Sequence, residues 1–173
     1  MAIDPHRTGG TVEWTRWAMG AIAGIVATAP MTMAMRHLHR RLPPPHRYPL
    51  PPRELVESSA LKRLGNRGNM TIIAHFLYGG AAGAIFAATW RRPRLRRGAL
   101  YGVIVWTASY LGWIPSIGLL KPATRHPVPR NALMVGVHLV WGTCLAACLE
   151  EMDRSSAEAF SAGPARDADE GAD

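Results

Sequence analysis

Apolar positions in this chain come in four long blocks, and charged positions gather between them. Trp17 to Met35, Met70 to Trp90, Ala99 to Leu120 and Ala132 to Leu149 contain no Lys, Arg, Asp or Glu. A helix rising about 1.5 Å per residue crosses a hydrocarbon core of about 30 Å with roughly 20 apolar residues, so each block is long enough to span a bilayer. In a soluble domain, charges interrupt nearly every window of that length. The pattern predicts an all-α fold, an integral membrane four-helix bundle with helices over 17–35, 70–90, 99–120 and 132–149, short basic connections, and both termini on one side.

The connections differ in character. Residues 1–16 form an N-terminal tail, 17–150 the transmembrane domain, and 151–173 an acidic tail expected to be disordered, because its Ser, Ala, Gly, Asp and Glu cannot bury enough apolar surface to offset ordering entropy. The first connection, Arg36 to Asn69, contains a proline-rich stretch from Pro43 to Pro52 that lacks the amide donors of a helix and should be extended. Arg53 to Leu64 reads as a short amphipathic helix, with Leu55, Val56, Ala60, Leu61 and Leu64 on one face, lying on the membrane surface or capping the bundle. The second connection is the arginine-rich turn Arg91 to Arg97; the third, Lys121 to Arg130, carries Pro122, Pro127 and Pro129 and is expected to be extended. Ala27-Thr28-Ala29 has the look of a signal-peptide cleavage site, but its apolar run continues through Pro30 to Met35, longer than a signal core, and is read as a retained helix.

Charge narrows the partners. The formal net charge is +8; residues 1–150 carry +13 and the remainder −5. No nucleic-acid motif or stacking platform accompanies the basic residues, so the expected partner is a bilayer with anionic headgroups, with a homo-oligomer or membrane-protein partner as a further expectation. Basic residues divide eleven to nine between the two sides, and the short five-arginine turn, the costliest segment to translocate, favours cytoplasmic termini. Cys144 and Cys148 are i and i+4 on one helix, where no disulfide can form, and read as small packing residues.

Without a hydrophobic difference between lipid and helix, close association relies on small residues that let backbones approach. Gly20, Gly24, Thr28 and Thr32 recur at every fourth position of the first helix, and Gly79, Gly83 and Ala87 do the same on the second. These stripes are expected contact faces.

Candidate chemistry collects at one end. Topology puts connections one and three on the same side, and six of the seven histidines fall there: His37, His39, His46, His75, His126 and His138. His75 and His138 lie inside helices, roughly 7 to 11 Å below that face. Ionisable groups within membrane helices are costly and usually face the bundle interior or a water-filled cavity. Tyr78, Ser109, Tyr110 and Trp141 are candidate neighbours of the two imidazoles, which read either as packing elements hydrogen-bonded across helices or as a functional pair. No catalytic residue, cofactor or metal is expected; a haem or metal redox site would use His75 and His138 as ligands. The spans hold no Asp or Glu, which argues against an ion-coupled transporter, and no nucleophile, phosphate or zinc motif indicates a conventional enzyme.

Leu50-Pro51-Pro52-Arg53, His75, Gly118-Leu119-Leu120-Lys121-Pro122, Gly136 to Trp141 and Glu150 to Arg154 together resemble the pattern of YagU-like bacterial inner-membrane proteins. The resemblance implies a small multi-pass protein of a bacterial plasma membrane, linked to acid or envelope stress rather than to catalysis. Carried over by position, it points to Pro51, Pro52, Arg53, His75 and His138. The expectation is an accessory or stress-related membrane protein; a haem or metal redox protein and a small transporter or channel subunit are the alternatives.

Overall fold

The structure is a computed structural model and describes residues 5–47, 67–118 and 121–161. Pro51, Pro52, Arg53, the amphipathic segment 53–64 and the end of the acidic tail lie outside these residues. Four helices carry the described chain: α1 (Pro5–His39), α2 (Arg67–Thr89), α3 (starting with Leu95–Thr107) and α4 (Val128–Ser161). Three helical stretches are long and apolar enough to cross a membrane, Glu13–His39, Asn69–Thr89 and Val128–Glu158.

The helices run up, down, up, down, each antiparallel to the next. α1 packs along both α2 and α4, and α3 packs along α4 and meets α2 through side chains. Glycines set the closest approaches. A Cβ on Gly24 would strike the carbonyl of Gly79, and one on Gly83 the carbonyl of Gly20, so α1 and α2 meet backbone to backbone. Gly98 and Gly102 of α3 lie in the same way against the carbonyls of Gly142 and His138 on α4. Thr28, fully buried, donates to its own helix at Gly24 O (2.7 Å) and covers Gly79.

Between these two pairs the interior is filled by aromatic rings. Phe86 stacks obliquely on Trp90 and Tyr101, both at 5.1 Å between centroids, and Tyr101 meets Trp141 at 6.0 Å. The polar atoms of two of them find carbonyls: Tyr101 Oη donates to Ala82 O (2.8 Å) and Trp141 Nε1 to Gly24 O (3.3 Å). The core is otherwise rich in alanine, while Ile22, Val26, Ile72, Leu77, Ile85, Leu100 and Leu139 point outward. Large side chains such as Phe86, Leu145 and Leu149 are buried too, so what departs from a water-facing fold is the number of large apolar side chains left on the outside.

The end bearing the N-terminal part of α1 is clasped by one side chain. Arg16 Nη1 donates to both carboxylate oxygens of Asp153 (2.8 and 3.1 Å), Nε to Ala87 O (3.2 Å), and Nη2 to Trp90 O (2.9 Å) and Arg91 O (2.8 Å). One guanidinium thereby joins α1, α4 and the carbonyls at the C-terminus of α2, where a cation suits the helix dipole. Arg16→Gln should lower stability by about 1 to 3 kcal/mol, measured as a thermal or denaturant shift in detergent. Arg16→Lys should recover little of it, because a point charge cannot hold five acceptor atoms in this fork.

Four parts of the chain differ from the sequence expectation, the first being the N-terminal tail, which is helical from Pro5 onward as the start of α1. α4 runs past residue 150 to Ser161, so the first part of the expected tail is helical and supplies Asp153 to the clasp. The third apolar block is not one continuous α-helix. After Thr107 the chain widens into a π turn over Ala108–Trp113, with Gly112 at φ −105° and ψ −111°, and resumes over Ile114–Ser116. Pro115 explains the break: it has no amide to offer Leu111 and its ring clashes with that carbonyl, so Ile114 N reaches back to Ser109 O instead. Gly118, with φ +73°, ends the segment in a left-handed conformation that other residues resist. The third connection is not wholly extended, since Ala123–Arg125 forms a 3-10 turn and α4 already begins at Val128, with Pro129 in its first turn.

Candidate functional site

The histidine-bearing end is organised around the π turn. From α2, Tyr78 Oη lies 2.6 Å from Ser109 Oγ, and its ring sits 6.2 Å from Trp113. The next residue, Tyr110, is buried and stacks on His126 from the third connection, with centroids 5.5 Å apart and an interplanar angle of 26°. Asn131 at the start of α4 pins that connection by donating to Ala123 O (2.8 Å) and His126 O (3.4 Å). His126 Nε2 in turn lies 3.3 Å from Lys121 O.

His75 is three residues from Tyr78 on α2, on the same face of the helix, and its Nδ1 is 3.5 Å from Thr32 Oγ1 of α1. Thr32 already donates its hydroxyl proton to Thr28 O (2.7 Å), so toward His75 it serves as acceptor and Nδ1 carries the hydrogen. His138 on α4 has Nδ1 2.7 Å from Met134 O. A carbonyl only accepts, which fixes the proton on Nδ1 and leaves Nε2 as the basic nitrogen of that ring. Both imidazoles are half-buried.

The other sequence candidates are distributed as follows. Tyr78 belongs to the π-turn cluster through Ser109. Trp141 is in the aromatic core, bonded to Gly24 O. Gly20, Gly24, Thr28, Gly79 and Gly83 line the α1–α2 contact. Among the described residues no group of three or more His, Cys, Asp or Glu side chains comes together as a metal cluster. Cys144 and Cys148 are free thiols on α4.

Arg130 was not singled out by sequence reasoning. Its side chain is fully buried at the first turn of α4, an end of a helix where the dipole disfavours a cation. An arginine closing a proline-rich connection and opening an apolar run was the available signal. Its charge reaches His126.

These features define the class: an all-α chain of four antiparallel helices, three of them of membrane-spanning length and composition. No protein-family model, curated protein or solved structure matches the chain.

Proposed function

We propose that this chain is a small multi-pass protein of a bacterial plasma membrane whose histidine-bearing end responds to acid, an accessory or stress-related role of the kind the resemblance to YagU-like proteins implies. The outward Ile, Leu and Val side chains over an alanine- and glycine-rich interior support the membrane part of this reading. The observation that carries the acid part is the path from Tyr78 on α2, through Ser109 and Tyr110 of the π turn, to His126 of the connection. A change of charge at His126 acts directly on α3, the one interrupted helix among the described residues.

His126 lies outside the three spans, and its pKa is held below the ordinary 6.5, first by burial and then by the charge of Arg130, with Lys121 adding to this and the Lys121 carbonyl opposing it. A depressed folded-state pKa means that the undocked connection takes up a proton first as pH falls through about 6.5. The Tyr110–His126 contact should therefore be at full strength above neutrality and weaken progressively on acidification. Spin labels at Leu111→Cys and Thr124→Cys, with both native cysteines replaced by alanine, should report a longer or broader distance at about pH 5 than at about pH 8 in the full-length reconstituted protein. His126→Gln should remove the dependence, and His138→Ala should reduce it if the two intramembrane imidazoles take part. A distance that does not change with pH, or changes equally in His126→Gln, would rule out the acid response.

The anchoring of Nδ1 on both His75 and His138 favours one second reading, a two-imidazole haem or metal site, because ligating histidines are commonly held through the other ring nitrogen. Absorption spectroscopy and metal analysis of detergent-purified protein decide it: a Soret band or stoichiometric metal supports that reading, and a colourless, metal-free protein removes it.

A further inference from the structure

We infer that the α2–α3 turn is a binding surface for anionic phospholipid headgroups, an inference that rests on the membrane reading above but not on the acid response. Arg91, Arg92, Arg94, Arg96 and Arg97 are all exposed on this turn. No ion pair joins any of them to a described acidic side chain. At this end of α4, Asp153 is engaged by Arg16 and Glu151 by Arg154.

The turn is held in place rather than loosely displayed. Pro93 is buried, Arg97 Nη1 donates to Arg92 O (3.1 Å), and the Arg16 clasp takes the carbonyls of Trp90 and Arg91. That clasp also sets the level of α1 against the turn. Trp14 and Trp17, two residues and one from Arg16, are exposed at 78% and 43%. Indole rings of this kind settle at the boundary between hydrocarbon and headgroups, so the guanidiniums beside them stand at headgroup depth. Every cation of the turn is an arginine, whose planar fork matches phosphate oxygens bidentately where lysine offers a point charge. Five uncompensated forks on a fixed turn, at the depth of the phosphates, fit a negatively charged lipid surface better than a soluble anion, which would gain nothing from the flanking tryptophans.

The test compares thermal stability of the full-length protein in nanodiscs of phosphatidylcholine alone and with phosphatidylglycerol added. Two variants remove the same number of charges from opposite ends: Arg91→Gln with Arg92→Gln, Arg94→Gln and Arg96→Gln, and, as control, Arg36→Gln with Arg40→Gln, Arg41→Gln and Arg125→Gln. Phosphatidylglycerol should raise the midpoint of the wild type and of the control, and the gain in the turn variant should fall to less than about half. Equal gains in the two variants would overturn the assignment, leaving only diffuse attraction to a basic protein. Inorganic phosphate added to phosphatidylcholine discs should not reproduce the gain; if it does, the turn recognises free anions and the headgroup assignment fails. A wild-type chain that enters neither disc overturns the membrane reading together with this one, which separates that failure from the others.

Discussion

Gly24→Leu is expected to part α1 from α2 and to leave the protein largely unfolded in mild detergent. The Cβ alone would occupy the position of the Gly79 carbonyl, and backbone atoms of Gly83 stand behind it. No rotamer relieves a clash between a Cβ and a backbone, so the helices must separate and forfeit the contacts of Ala23, Ala27 and Thr28, all fully or nearly fully buried. Overpacking of a tight core typically costs about 1 to 3 kcal/mol and more when backbones must move; here the upper end or beyond is expected. Gly136→Ala is the matched control. Nothing lies within 4 Å of a Cβ at that position, so the substitution should be neutral or stabilise by up to about 1 kcal/mol through helix propensity. Denaturant unfolding followed by circular dichroism distinguishes the two.

Trp141→Ala should be almost as damaging, by a different route. The indole is buried against Tyr101 and donates to Gly24 O, so it is the side chain that ties α4 to the glycine contact of α1 and α2. Emptying that position costs about 3 to 5 kcal/mol by the usual measure for a large aromatic in a packed interior. Trp141→Phe should recover most of the packing but not the hydrogen bond, leaving a residual loss of about 1 kcal/mol. If Trp141→Phe is as unstable as Trp141→Ala, the hydrogen bond rather than the ring dominates the site.

Run length made the helices legible, because an uncharged stretch of this size has few other structures open to it. The small-residue stripe of α1 was equally visible, since Gly20, Gly24 and Thr28 repeat at the spacing of one helix face. The matching stripe of α3 was not: Gly98 and Gly102 have that same spacing, but Gly98 adjoins the arginine turn and falls outside the apolar block. The extension of α4 was hidden for a related reason. Glu150, Glu151, Met152 and Arg154 are good helix formers, yet hydropathy alone groups them with the polar tail. The Arg16–Asp153 pair spans almost the whole chain and follows only from the bundle topology. The π turn was half-legible, since Pro115 implies a freed carbonyl, whereas the shift to Ser109 and the stacking of Tyr110 on His126 depend on neighbours that no local pattern encodes.

The two halves of α3 are secured by different means. The first half lies with its glycines pressed into α4, while the second is held through Tyr78 and His126 and has lost its regular amide ladder. Amides of residues 108–116 should therefore exchange with deuterium well before those of 98–107. Such a gradient would let one end of the molecule breathe through a local opening while the remainder keeps its protons, and motion at the histidines would not require dismantling the bundle.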